Sequence, residues 1–212
     1  RFAALHDRLA TLTEVVTVAL LGSVFVQGLF VLSGLSPMTS ARLLAVFMWL
    51  EASFTLLLIT LLLRARRRNW RDLGWTAQGW KREAGLGILV VPVLFVFTLL
   101  IGVLFQKFLP QYVSEKNPLL EMIKTQGDLA LFLASSVFVG GLKEEVQRAF
   151  ILRHFERNLG GIWTGLFVWS IVFALLHQVQ GVDKAAGAGV LGLLFGLLYI
   201  SRKKLTSPVV AH

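Results

Sequence analysis

The chain contains no cysteine among its 212 residues. This absence excludes a disulfide framework, a thiolate metal site and a cysteine protease, so a covalent nucleophile would have to be serine, threonine or a carboxylate. Charged residues are also scarce, at 16% of the chain, against roughly a quarter in a typical soluble domain. With 56% hydrophobic residues and a mean hydropathy of +0.72, the composition indicates a protein whose main surroundings are not water.

Basic residues exceed acidic ones and give a formal net charge of +9. Nucleic-acid-binding proteins often carry such a charge, but the position of the basic residues decides the interpretation. Here they flank apolar runs. The densest group has one acid, Asp72, among seven bases: Arg64, Arg66, Arg67, Arg68, Arg71, Lys81 and Arg82. Because this pattern is typical of a cytoplasmic loop, we predict the lipid bilayer as a partner and no nucleic acid.

Long uncharged runs predict an all-α fold, a polytopic transmembrane helix bundle that forms one membrane-embedded domain over residues 1–212. A spanning helix needs about 20 mostly apolar residues. We therefore predict about six complete spans and a truncated one. They lie near residues 15–35, 43–63, 84–106, 129–156, 161–178 and 184–201, and the truncated span starts at 205.

The basic loop at residues 64–83 predicts the orientation of the bundle. If this loop is cytoplasmic, the N-terminus is cytoplasmic too, and the later basic groups at 148–157 and 202–204 fall on the same side. Trp70, Trp75 and Trp80 lie in this loop, where interfacial indoles are expected. The loop is therefore also a candidate for a short interfacial helix.

Residues 129–142 are uncharged but too few to cross a core of about 30 Å at roughly 1.5 Å per residue. A span here must include Lys143, Glu144 and Glu145. Ionisable groups at such a depth mark a functional site or a specific buried pair.

A turn at residues 158–161 allows the depth of Glu144 to be compared with that of His177. Glu144 lies 14 residues before Asn158, and His177 lies 16 residues after Gly161. In an antiparallel helix pair, both side chains would therefore reach the same level. Arg148 follows Glu144 by four residues and Glu145 by three, so it can hold either carboxylate and leave the other free. A free carboxylate in a poorly solvated site is suited to act as a general base on water, and an imidazole beside it can orient that water or stabilise an oxyanion.

Three runs in the last third of the chain resemble the CPBP family, glutamic intramembrane proteases that include CAAX prenyl endopeptidases and bacteriocin-processing enzymes and are also called the Abi family. They are EEVQRAF at 144–150, Phe173-x-x-x-His177, and LTSPVVAH at 205–212. The family's motifs are Glu-Glu-x-x-x-Arg, Phe-x-x-x-His, and a histidine followed four residues later by Asn or a similar polar residue. The resemblance implies an intramembrane endopeptidase of a bacterial inner membrane that cleaves a peptide or membrane-protein substrate. The residues themselves form a workable hydrolytic site without a metal, and we predict no cofactor.

The resemblance also implies roles for individual residues. The implied catalytic residues are Glu144, Glu145, His177 and His212, and the implied supporting residues are Arg148 and Phe173. Glu144 would activate the water with support from Glu145 or Arg148, His177 would assist the water or the oxyanion, Phe173 would pack the site, and His212 would be the third-motif histidine.

The first motif departs from the family pattern in one of two ways. If Arg148 fixes the register, Lys143 takes the place of the first glutamate. If the pair Glu144-Glu145 fixes it, the arginine arrives one residue early. We favour Glu144 as the base because its depth matches that of His177. We also expect the sequence to be part of a longer chain, with Asn or a similar residue at the fourth position after His212.

Other interpretations remain open at this stage. The charges at 144–148 would form a cytoplasmic cluster if the span ended earlier, but the span would then be too short. Zinc has possible ligands in Glu144, His177 and His212, although their spacing gives no support for a metal site. The altered first motif suits a non-catalytic family member, a structural or assembly subunit of a larger membrane complex. Glu51 is predicted to be a structural partner inside the membrane or a further site residue.

Overall fold

The structure is a computed structural model that describes residues 2–212. All regular structure in this part of the chain is helical and none of it is β-strand, which confirms the predicted all-α fold. The α-helices are α1 (Phe2–Val16), α2 (Gly22–Leu32), α3 (Ala41–Ala65), α4 (Trp80–Phe108), α5 (Pro118–Glu121), α6 (Gln126–Ser136), α7 (Glu145–Asn158), α8 (Ile162–Leu176), α9 (Val182–Arg202) and α10 (Thr206–Ala211).

Four helical stretches are long and apolar enough to cross a membrane: Leu5–Leu32, Ala41–Ala65, Trp80–Phe108 and Val182–Arg202. Each overlaps one of the predicted spans. Helix α4 is the most exposed of them, since only 6% of its most apolar window is buried within the protein. Such an outward-facing apolar surface is expected where lipid is the solvent. The chain is therefore an integral membrane protein.

The stretch Leu5–Leu32 begins about ten residues before the predicted span near 15–35. Charged side chains in this part of the helix form ion pairs. Glu14 pairs with Arg66, with 2.7 Å between Oε1 and Nε, and with His154, with 2.9 Å between Oε2 and Nε2. A π-helical turn, Thr17–Leu21, then joins α1 to α2. The helix therefore continues through a charged segment that precedes the predicted span.

The predicted span near 129–156 corresponds to one continuous helical stretch over residues 126–158. Thr125 caps its start, because its hydroxyl accepts from the Asp128 amide at 3.1 Å while the Asp128 carboxylate accepts from the Thr125 amide at 3.0 Å. Between α6 and α7 lies a π-helical segment, Val137–Glu144. Wide turns of this kind are rare and frequently occur at functional sites.

Helix α7 forms the centre of the bundle. Residues 145–152 are all buried, although they include Glu145, Gln147 and Arg148. A helix that is buried on every side lies inside a bundle rather than at its surface. Gln147 is satisfied by donating to the carbonyl of Val18 in the first π-helical turn, at 2.7 Å. Residues 145–152 of this central helix thus place three buried polar side chains among apolar ones.

Helices α8 and α9 pack closely through small residues. A Cβ atom at Gly189 would lie 2.9 Å from the Cβ of Ala174, and one at Gly192 would lie 3.2 Å from the Phe173 ring. Helix α8 has 15 residues, so it rises only about 22 Å at 1.5 Å per residue. This short length leaves His177, directly after α8, within the bundle.

The basic loop at 64–83 is ordered by contacts with the end of α9 and the segment after it. It contains a four-residue 3₁₀ turn, Trp70–Leu73, in the region proposed for an interfacial helix. The Tyr199 hydroxyl donates to the carbonyl of Leu73 at 3.1 Å, and the Leu205 amide donates to the carbonyl of Gly74 at 3.2 Å. The loop therefore fixes the position from which α10 enters the bundle.

Candidate active site

A cavity of about 700 Å³ lies beside α4 and α9, and three of the predicted catalytic residues line it: Glu144, His177 and His212. Glu144 is the last residue of the π-helical segment, His177 follows α8, and His212 follows α10. A second cavity of about 200 Å³ is lined by the same three residues. Side chains from three separate elements thus line both cavities.

The two adjacent carboxylates have different surroundings. Glu145 has a side chain that is only 1% exposed, and it forms an ion pair with Arg148. Glu144 is 16% exposed and lines the cavity, and its Oε2 lies 3.7 Å from Nε2 of His212. Arg148 therefore holds Glu145 at the i,i+3 spacing, and Glu144 is the carboxylate that faces the cavity.

The guanidinium of Arg148 is fully buried and sits between aromatic rings. Its Cζ atom lies 5.0 Å from the ring centroid of Phe173 and 5.6 Å from that of Phe195. Nε and Nη2 have no hydrogen-bond acceptor among residues 2–212. The cation is therefore stabilised by Glu145 and by the two ring faces.

His212 is held in one orientation by contacts on several sides. Its Nδ1 lies 2.8 Å from a Glu145 carboxylate oxygen, and because a carboxylate only accepts, Nδ1 is the donor. The ring stacks on Phe195, with centroids 4.5 Å apart and planes 5° apart. A Cβ at Gly140 would lie 2.9 Å from Nε2, so the absence of a side chain there leaves room for the imidazole. Nε2 is left facing Glu144.

His177 is oriented by its own helix. Its Nδ1 lies 2.8 Å from the backbone carbonyl of Phe173, one turn earlier. Because a carbonyl only accepts, Nδ1 carries the proton and Nε2 is the nitrogen available to a molecule in the cavity. The ring also packs at a tilt against Phe173, with centroids 4.4 Å apart. The Phe-x-x-x-His spacing thus provides both a hydrogen bond and a packing contact.

The rest of the larger cavity has both an apolar and a polar lining. Apolar groups of α4 and α9 line part of the wall, among them Ile101, Leu191 and Phe195. Its polar lining residues come from the helix ends and connections farthest from the basic loop: Gln106, Ser114, Glu115, Gln180, Asp183 and Lys184. The cavity therefore has an apolar part and a polar mouth.

Glu51 lies outside both of these cavities and has a specific partner. Its Oε1 lies 2.9 Å from Nζ of Lys143, and both side chains are largely buried. This geometry agrees with the interpretation of Glu51 as a structural partner inside the membrane. The contributions of Phe195 and Gly140 were not anticipated from the sequence, since an isolated phenylalanine and an isolated glycine give no signal in a chain with 16 Phe and 19 Gly.

Among residues 2–212, no group of three or more His, Asp or Glu side chains is arranged to hold a metal ion. The separate spacing of Glu144, His177 and His212 along the chain likewise gives no metal-ligand pattern.

Comparison with known protein families matches residues 125–212 to a family described as "Type II CAAX prenyl endopeptidase Rce1-like". The matched segment is somewhat less than half of the chain and includes all of the predicted site residues. No curated protein and no solved structure matches the chain. The family resemblance indicated by the three motifs is therefore confirmed: over residues 125–212 the chain matches the Rce1-like family of type II CAAX prenyl endopeptidases.

Proposed function

We propose that this protein is an intramembrane endopeptidase of the CPBP type, which uses a glutamate-activated water to hydrolyse a peptide bond at or in the membrane. The observation that carries the proposal is the convergence of Glu144, His177 and His212 on one cavity in an apolar helix bundle. The carboxylate and the two imidazoles come from different elements, and each imidazole has one nitrogen fixed by a partner. Such preorganisation is what a hydrolytic site requires.

Glu144 acts as the general base. It faces the cavity and is not paired with Arg148, so it can accept a proton from a bound water. The water oxygen then bonds to the carbonyl carbon of the scissile peptide, and the carbonyl oxygen takes the negative charge. The proton held by Glu144 passes to the leaving amine as the C–N bond breaks. Glutamate is thus restored at the end of the cycle.

The two histidines orient the water and stabilise the oxyanion. His177 presents an unprotonated Nε2, which accepts a hydrogen bond from the attacking water and orients it. His212 lies between Glu145 and Glu144. An imidazolium at that position donates from Nδ1 to Glu145, and its Nε2–H is available to the developing oxyanion.

Two ion pairs flank His212 and Glu144: Glu145 is paired with Arg148, and Glu51 is paired with Lys143. Glu145, Arg148 and Phe173 then serve to position His212 and His177 rather than to contact the substrate.

The substrate in this proposal is a peptide or membrane protein that enters from the bilayer or from the polar mouth of the cavity. The apolar wall at Ile101, Leu191 and Phe195 suits apolar side chains, and the polar mouth suits the hydrated backbone of a chain that leaves the membrane.

A larger membrane complex is a further partner in this proposal. Its presence is not required for the chemistry, because every group named above belongs to this chain.

The proposed topology has about six complete spans and the start of another, with the N-terminus in the cytoplasm of a bacterial inner membrane. The absence of cysteine allows it to be tested by single-cysteine labelling. We expect Lys116→Cys, at an exposed position on the side of the cavity mouth, to react with a membrane-impermeant maleimide in intact spheroplasts. Ala77→Cys, in the basic loop, should react only after the membrane is opened, and the cysteine-free parent should not react. Labelling in the reverse order would overturn the orientation.

Peptidase activity is tested with the purified full-length chain in lipid nanodiscs and a library of labelled hydrophobic peptides. We expect cleavage that persists in a chelator and falls at least about tenfold in His177→Ala, because the water loses its orienting acceptor. His6→Ala, which removes an exposed histidine outside the cavity, should cleave as the wild type does. Loss of activity in chelator would contradict the metal-free mechanism. A folded wild-type protein that cleaves no peptide would favour the non-catalytic assembly subunit instead.

A further inference from the structure

A buried ion pair lies directly beside the proposed base. Lys143 precedes Glu144 in the π-helical segment, and its Nζ lies 2.9 Å from Oε1 of Glu51 on α3. The side chains of Lys143 and Glu51 are 10% and 7% exposed. The same Glu51 oxygen accepts hydrogen bonds from the Ser23 hydroxyl at 3.3 Å and the Thr55 hydroxyl at 3.2 Å. Glu51 is thus a built receptor for the Lys143 ammonium.

This pair determines where the Lys143 charge is located relative to the cavity. Neither Lys143 nor Glu51 lines either cavity that Glu144 lines. Without Glu51, an ammonium in an apolar bundle would need another anion, because an unpaired charge there is costly. Glu145 is already committed to Arg148 and His212. The adjacent carboxylate is that of Glu144. Among residues 2–212, the one basic side chain within ion-pair distance of it is His212, at 3.7 Å.

We propose that Glu51 is a positioning residue of the catalytic site, which holds Lys143 on α3 and so keeps the carboxylate of Glu144 free to face the cavity. This inference rests on the peptidase function proposed above. In this role the Glu51 side chain acts through Lys143 and does not contact the substrate. It also predicts an asymmetry that a purely structural ion pair would not show: loss of the acid should harm the site more than loss of the base.

Three variants test this asymmetry. In Glu51→Gln the Lys143 ammonium is expected to form an ion pair with Glu144. We therefore expect kcat to fall at least tenfold while KM changes less than twofold. In Lys143→Met no ammonium is present, so kcat should stay within about threefold of the wild type. In the double variant Glu51→Gln/Lys143→Met, kcat should recover from the low value of Glu51→Gln. A matched control is Glu14→Gln, which also removes a carboxylate from an ion pair and a histidine contact but lies outside both cavities.

A second readout does not depend on cleavage. Hydrophobic carbodiimides modify carboxyl groups in apolar surroundings, and mass spectrometry can measure the modified fraction at Glu144. We expect this fraction to fall several-fold in Glu51→Gln, to recover in the double variant, and to be unchanged in Glu14→Gln. Unchanged labelling in Glu51→Gln would overturn the inference, as would an equal loss of kcat in Lys143→Met and Glu51→Gln. Since labelling is measured on the folded protein in nanodiscs, it remains decisive even if the proposed peptidase activity fails.

Discussion

Replacing Glu144 with glutamine is expected to lower kcat for peptide cleavage by about 10²- to 10⁴-fold, the usual contribution of a general base. Glutamine has nearly the same shape, so the cavity and the contact with His212 are preserved. It cannot take a proton from water at neutral pH, so the chemical step fails while substrate binding remains. The expected signature is a loss of kcat with little change in KM, measured with purified protein and a labelled peptide.

Two comparisons make this result specific to Glu144. Glu121→Gln changes an exposed carboxylate outside both cavities and should leave kcat unchanged. Glu145→Gln keeps an oxygen that can accept from His212 but weakens the pair with Arg148, so both kcat and thermal stability should fall. If Glu144→Gln were active and Glu145→Gln inactive at full stability, the base would be Glu145 and the register of the first motif would have to be reassigned.

The sequence predicts most of the fold because lipid imposes a simple rule on it. Runs of about 20 apolar residues must be helical when no water is present to satisfy the backbone, and four such helices occur at the predicted places. The first helical stretch begins at Leu5, before the predicted span near 15–35, and Glu14 remains within it by pairing with Arg66 and His154. Those partners are far apart in the chain, so no local pattern could reveal them.

The sequence predicts those features of the candidate site that helix geometry alone determines. Counting residues from a shared turn placed Glu144 and His177 at the same depth, and both line the same cavity. The same counting could not decide which carboxylate Arg148 holds, since both the i,i+3 and i,i+4 spacings permit a contact. The answer depends on the π-helical segment before α7, which changes the angular position of the residues that follow it. A wide turn of this kind has no clear sequence signature.

The position of His212 depends on groups that a motif does not contain. Its ring is stacked on Phe195 and fits against Gly140, which lies in the π-helical segment. The motif indicates that a histidine is needed after α10, but its orientation comes from long-range packing. The same is true of Glu51, whose partner Lys143 follows it in the chain only after the spanning helix α4. Long-range pairs of this kind are what sequence reasoning without relatives cannot supply.

Replacing Arg148 with methionine is expected to cause the largest loss of stability of any single change in the site. The substitution leaves Glu145 buried without its cation, and breaking one partner of a buried ion pair costs about 3–5 kcal/mol. Methionine retains contacts with the Phe173 and Phe195 rings, so the effect reports the lost charge more than lost packing. The measurement is thermal unfolding in nanodiscs, where Arg148→Met should unfold well below the wild type and lose cleavage as well.

Removing both members of the pair separates its structural role from its role in positioning His212. In Glu145→Leu/Arg148→Met no charge remains unpaired, and well-packed apolar replacements of a buried ion pair are often neutral in stability. We therefore expect the double variant to recover most of the lost unfolding temperature. It should not recover cleavage, because Nδ1 of His212 then has no carboxylate to hold the ring opposite Glu144. Recovery of both properties would show that Glu145 serves only to neutralise Arg148, and recovery of neither would show that the apolar pair does not pack in the bundle.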